Sequence, residues 1–276
     1  MKTGIRFDLH EGLKRQWTKY ILLFVTVIIT CIHFDGIVFN DIGIRQYSPG
    51  FLNYVMYMFQ GIKPFYYTTQ EKHEIPAFWL FFNIYILFVL GGYLSDSLKT
   101  DRSQCFVRYS SRTRFMVNKY VYMIIGTILY YACLYTAVFI YIAIKGYVKM
   151  YEYNIGAEIN LITPDVYPSI MYGICEMVVI PFLTSCTYVA VYMIFEICGN
   201  KSWGMTVISA YILAGAFICH PLFISNNTML IRNEYVINNG ISLESGLAIT
   251  LIFLAIGVAA GIIALKRFEF TGGLKI

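Results

Sequence analysis

The feature that most limits what this chain can fold into is a series of long apolar runs nearly free of charge. Each approaches or exceeds the ~20 residues a helix needs to cross roughly 30 Å of hydrocarbon. Six such segments are read, over residues 20–39, 77–94, 120–144, 168–198, 203–223 and 245–265. Hydrocarbon offers no partner to backbone N–H and C=O groups, so runs of this kind fold as helices, which satisfy those groups internally. Composition agrees, since 58% of the 276 residues are hydrophobic and only 13% charged, about half the ~25% of a soluble domain. The aromatic share of 17% excludes a disordered chain. The expected class is an all-α polytopic membrane protein with six transmembrane helices, a single transmembrane domain over 1–276.

Orientation follows from Lys and Arg. With the N-terminus inside, 15 of the 21 basic residues fall on inner connections and 6 on outer ones, which places both termini in the cytoplasm. The net charge of +5 is then a topological signal, and no nucleic-acid partner is expected. The first apolar run begins only near Tyr20 and is too long for a signal h-region, so it is expected to stay in the protein. None of the seven cysteines lies in an outer loop and no Cys-x-x-Cys occurs. They are expected to be reduced, with neither a metal site nor another cofactor on this chain.

The connections carry structure of their own. Before the first span, Ile5, Leu9, Leu13 and Trp17 recur every four residues, with Arg6, Lys14 and Arg15 off that stripe. The pattern predicts an amphipathic helix lying in the inner interface, in preference to a plain basic lead-in. The outer connection 40–76 holds Phe51, Leu52, Val55, Met56, Tyr57 and Phe59; a helix on the outer leaflet or over a vestibule and simple packing across the bundle account for it equally well. The inner connection 95–119 sets six basic residues against Asp96 and Asp101, with Phe106, Val107, Tyr109 and Phe115 interspersed. Arg108, Arg112 and Tyr109 suit a cytoplasmic partner, because guanidinium groups pair bidentately with carboxylates. The formal sequon Asn226-Asn227-Thr228 in the last outer loop receives no function.

Signs of catalysis are sparse. Gly199-Asn200-Lys201-Ser202 lacks the spaced glycines of a phosphate-binding loop, and no His-Glu-x-x-His, Gly-x-Ser-x-Gly or Gly-x-Gly-x-x-Gly occurs. Ionisable residues inside spans are the remaining candidates. Glu176, in the fourth span together with the helix-kinking Pro181, is the strongest candidate for a polar pathway. His220, just before Pro221, reads mainly as a packing residue at a helix break, Glu196 as a partner for Lys201, and His33 and Asp35 as interfacial. Gly257 and Gly261 in the last span form a small-residue face for close helix packing, within the bundle or between protomers.

The segment containing Arg108, Tyr109, Ser111, Arg112, Phe115 and Lys119 resembles the loop after the second span in permease subunits of the type-two ABC exporter family. The likeness is to small bacterial members linked to antimicrobial peptides; it covers the whole chain as topology and this stretch as motif. It implies a coupling helix over about 103–114 docking into a separate cytoplasmic ABC ATPase, which binds ATP and Mg. A connecting helix over about 5–16 would lie beside that ATPase. A second permease copy or a sister permease would complete the transporter, and a re-entrant hairpin would fall within 225–243. The expected function is ATP-driven movement of an amphipathic or peptide cargo, bacteriocin-like export or immunity, at the cell membrane of a bacterium, by a transport subunit that is not itself an enzyme. The alternatives are an ATPase-independent receptor or assembly factor, and a membrane-embedded enzyme using Glu176 and His220.

Overall fold

The computed structural model describes residues 2–40, 48–64, 75–100, 111–146, 148–152 and 166–267. Among them every extended element is a helix, and strand pairing is confined to one isolated bridge between Asn233 and Ile241. The order is α1 (Lys2–Asn40), α2 (Phe51–Phe59), α3 (Ala77–Leu90), α4 (Tyr93–Thr100), α5 (Arg112–Ile144), α6 (Ile170–Ile174), a π turn (Cys175–Val179), α7 (Ile180–Ile197), α8 (Lys201–Phe217), two 3₁₀ turns (Ile224–Thr228 and Leu230–Arg232) and α9 (Leu243–Arg267).

Five helical stretches among the described residues are long and apolar enough to cross a membrane: Phe7–Phe39, Ala77–Leu98, Arg112–Ile144, Met171–Ile197 and Leu243–Arg267. The expected span over 203–223 is not one of them. Its helix, α8, has 17 residues and reaches about 26 Å at 1.5 Å per residue, short of roughly 30 Å. It stops at Ile218, whose extended backbone leads toward Pro221, a residue that cannot continue a helix. From there to Ile241 the chain folds back as irregular structure.

The bundle buries one face of each long helix. In α1 the core side carries Leu23, Val27, Cys31 and Phe34, while Ile21, Leu22, Val25, Ile29 and Ile32 face outward. Both faces are apolar, as in a helix packed against neighbours on one side and solvated by lipid on the other. α1 packs mainly on α5, and α9 on α7. Gly257 is buried against Ala190 and Val191 of α7, and Gly261 against Tyr120 and Met116 of α5. The small-residue face is therefore used inside the bundle. A Cβ on Gly261 would lie 2.2 Å from the Tyr120 hydroxyl.

The lead-in turns a polar stripe toward the bundle and leaves Trp17 outside. It is the first part of the continuous α1, and the face turned inward carries Asp8, Gly12 and Gln16, not the apolar stripe. Trp17 is 60% exposed. The reason lies in α5: Tyr122 donates to Gln16 Oε1 at 2.6 Å, and its ring lies where a Cβ on Gly12 would come within 2.3 Å. A polar stripe with partners thus holds the lead-in against α5, with Trp17 on the outward side.

α2, the helix described within connection 40–76, packs on the bundle. Asn53, Tyr54, Val55, Met56, Met58 and Phe59 are buried against the bundle. Its first amides are met by loop carbonyls, Phe51 N–H donating to Lys149 O at 2.9 Å and Leu52 N–H to Met150 O at 2.8 Å. Between α3 and α4 the chain turns through Gly92, whose φ of +87° only glycine adopts readily. The six described cysteines are free thiols.

Candidate functional site

Buried charge in an apolar bundle is costly unless matched, so the partners of each buried ionisable group separate structural from functional roles. Near the basic end, Lys119 Nζ donates to Asp8 Oδ1 at 2.7 Å and to Ser97 Oγ at 2.9 Å. Tyr93 OH also donates to Asp8, at 2.9 Å, and Lys119 lies 4.1 Å from the Tyr93 ring centroid and 5.0 Å from that of Phe115. Both side chains of this ion pair are only 2% exposed. The cluster ties α1, α4 and α5 together.

Glu196 is buried as well, and it does not pair with Lys201. Its carboxylate accepts from Gly92 N–H and, at 3.3 Å, from Ser95 N–H, so it sits at the N-terminus of α4, where unpaired amides and the helix dipole favour an anion. At the far end Asp35 is buried and accepts from Tyr54 OH at 2.6 Å, from Tyr141 OH at 2.5 Å and from Lys145. Burial, and then the bond to Asp35, push the Tyr54 phenol up. Desolvation would lower Lys145, but the bond to and charge of Asp35 outweigh it and hold the ammonium above its ordinary value. Asp35, expected at the interface, is therefore the centre of a buried cluster joining α1, α2 and α5.

The irregular stretch between α8 and α9 is buried from Ile224 to Asn233. Non-helical backbone of this kind is tolerated in a membrane bundle where protein surrounds it or it lines a cavity. Trp79 Nε1 donates to Thr228 Oγ1 at 2.9 Å, and Asn227 Nδ2 donates to Gly246 O and Thr250 Oγ1, both at 3.2 Å. Arg232, expected in an outer loop, is 0% exposed. Its guanidinium donates to Gly215 O at 2.5 Å, Ala216 O at 2.6 Å, Ile62 O at 3.0 Å and Asn226 Oδ1. It thereby completes the C-terminal end of α8, where carbonyls lack helical partners and a cation is favoured. The sequon Asn226-Asn227-Thr228 is wholly buried.

Glu176 faces this plug. It sits in the π turn Cys175–Val179, 4% exposed; such turns are frequent at functional sites. Among the described residues, its side-chain hydrogen bond is from Asn233 Nδ2, at 2.6 Å. Asn233 Nδ2 is also 3.1 Å from Tyr172 OH, which is 3.4 Å from Glu234 Oε1 at the exposed rim. Tyr167 stacks on Tyr172 with centroids 5.7 Å apart, and burial, followed by the charge of Glu176, pushes its phenol up. Glu176, Asn226, Asn227, Arg232, Asn233 and Ser242 share a cavity of about 10 Å³, the room of about one water molecule. Asn227 Oδ1 is buried without a donor. The site thus sets the Glu176 carboxyl and the Asn227 amide oxygen in one cavity wall with the Arg232 guanidinium.

The other residues singled out in the sequence lie elsewhere. Arg108 and Tyr109 fall outside the described residues, as does most of the expected coupling helix. Ser111 caps α5, accepting from Arg114 N–H at 3.2 Å, and Arg112 Nη1 donates to Lys266 O of α9 at 2.7 Å. Phe115 is fully buried beside Lys119, so it is a core residue and not a docking surface. His220 is exposed, its Nδ1 accepting from Leu222 N–H at 3.2 Å, and it does not line the Glu176 cavity. No acid/base pair of Glu176 and His220 is assembled. Asn227, Arg232 and Asn233 were not anticipated, although the run of Asn, Ser and Thr before the last span was visible.

No protein-family profile, characterised protein or solved structure matches this chain. Its multi-pass membrane character rests on the five long apolar helices themselves.

Proposed function

We propose that this chain is the membrane permease subunit of an ABC exporter of the type-two class, moving an amphipathic or peptide cargo with ATP hydrolysed by a separate cytoplasmic subunit. The observation that carries the proposal is the buried, non-helical plug over Ile224–Arg232, between a shortened α8 and the last helix. That is where the resemblance of the segment 108–119 implies a re-entrant hairpin. In this reading the basic end, with Lys14, Arg15, Arg112, Arg114, Lys201, Lys266 and Arg267, is cytoplasmic. The segment around Arg108 and Arg112 meets the ATPase, and a second copy or a sister permease completes the pathway.

Mechanically, α4 and the start of α5 flank the docking segment. They are fastened to α1 by Asp8–Lys119 and to α7 by Glu196, so a displacement of the docking segment reaches α1 and α7 without slack. The enzyme reading needs Glu176 and His220 in one pocket, and the exposed imidazole leaves it without its pair. Affinity purification of the tagged chain from native membranes, beside an Arg108→Glu, Arg112→Glu variant, tests the proposal. An ABC ATPase is expected with the first and lost from the second. Recovery of the folded chain with no ATPase would overturn it.

A further inference from the structure

The helix that carries Glu176 is interrupted where it meets α7, and α5 makes good the interruption. Pro181 has no N–H to give to the carbonyl four residues before it, Met177 O, so the ladder lacks a donor there. Tyr135 supplies one from α5, its hydroxyl donating to Met177 O at 2.8 Å. One turn further on, Tyr131 OH donates to Pro181 O at 3.0 Å and lies 2.8 Å from Ser185 Oγ. The π turn comes just before Pro181, with Ile180 N–H reaching back to Cys175 O. Prolines and π turns are places where helices bend, and here the two adjoin. Past them, α6 and the π turn reach the plug through side chains: Glu176 and Tyr172 both meet Asn233 Nδ2, and Tyr172 OH lies 3.4 Å from Glu234 Oε1. On their outward face Met171, Ile174 and Val178 are exposed, whereas α7 beyond the break packs along α9.

We infer that segment 170–179 is a lid over the cavity lined by Glu176, Arg232 and Asn233, hinged at Pro181 on the Tyr135 hydroxyl and latched by the Asn233 amide. Hinge and latch differ in what a swing of the lid does to them. Tyr131 and Tyr135 hold carbonyls at the break itself, where displacement is least, so their bonds persist. The bonds to Asn233 lie out along the swinging part and must part for the cavity to open toward the rim at Glu234. Each such bond contributes modestly to stability, so the lid opens as a local event while the rest of the bundle stays folded. The inference does not rest on the permease proposal, because the hinge belongs to this helix whatever the chain moves or binds, and its test needs no ATPase.

The test is amide hydrogen exchange of the full-length chain in micelles, read by mass spectrometry on peptides from 170–179 and from 184–197, on the two sides of Pro181. Asn233→Ala releases the latch and is expected to speed exchange over 170–179 by roughly fivefold or more. Pro181→Ala gives Met177 O a backbone donor and is expected to slow it by a similar factor. Both should leave 184–197 as in wild type. Tyr135→Phe is expected to speed exchange over 170–179 in the wild-type background and to have little effect beside Pro181→Ala, whose amide takes the place of the hydroxyl. Exchange over 170–179 that ignores Asn233→Ala and Pro181→Ala, or changes that extend equally over 184–197, overturn the lid. An equal effect of Tyr135→Phe in the two backgrounds overturns the hinge. A measurement on the wild type alone covers failure of a variant to fold: 170–179 is expected to exchange at least about tenfold faster than 184–197, as a locally opening unit does. Equal protection on the two sides of Pro181 also overturns the inference.

Discussion

The two ends of the bundle bury acids in opposite ways. At the basic end Asp8 is enclosed by Lys119, Tyr93 and the α1–α4–α5 contact, so removing either charge leaves the other stranded. At the plug Glu176 is equally buried, and among the described residues its hydrogen bond comes from the neutral Asn233 amide. The difference separates two ways of holding an acid: at the basic end a lysine fixes it and three helices with it, whereas at the plug the carboxyl rests on one neutral amide. That distinction can be broken by substitution, and the expected effects differ in size.

The largest effect is expected at the matched pair. Lys119→Met should cost about 3–5 kcal/mol by stranding Asp8, and Asp8→Leu added to it should recover most of the loss; denaturant unfolding in micelles reads both. A single variant with no measurable cost would mean that the pair is not a fastening. Arg232→Gln should lose about 2–3 kcal/mol, because charge-assisted bonds to the last carbonyls of α8 disappear. That loss should be accompanied by faster proteolysis between α8 and α9, and an unchanged cleavage pattern would count against the plug. Gly261→Leu forces a side chain into the Tyr120 hydroxyl and should cost about 1–3 kcal/mol by overpacking, visible as a lowered melting temperature.

The smallest effect concerns pH at the far end. Lys145 is raised above its ordinary value of 10.5 by Asp35. Its folded form therefore holds the proton more tightly than the unfolded form. The stability this contributes is fully present below the unfolded value and is lost as pH rises through the folded one. Wild type should lose stability in that alkaline window and Lys145→Met should lose less; parallel curves for the two proteins would deny the coupling.

Much of this arrangement was legible in the sequence. Four spans and the last helix followed from apolar runs, and Glu176 stood out as a charge inside one of them. The register of α1 was not legible, because Asp8 is buried by Lys119 and Tyr93, partners far along the chain whose proximity no local pattern announces. Trp17 faces outward, where an aromatic with a polar N–H is at home in a lipid interface. The shortened α8 was concealed by the apolar residues beyond Pro221, which continue the hydropathy but not the helix. The plug was hardest to foresee. Asn, Ser and Thr together signal a loop, and this one is buried only because Trp79, Arg232 and Thr250 supply its hydrogen bonds.

The contrast between the two ends is tested most directly by unfolding Asp8→Asn and Glu176→Gln side by side, each against wild type. Both substitutions remove one buried negative charge with little change of shape. Asp8→Asn is expected to lose stability, because Lys119 remains buried without its counter-charge, while Glu176→Gln is expected to match or exceed wild type. A Glu176→Gln loss as large as that of Asp8→Asn would contradict the distinction and make Glu176 one more fastening.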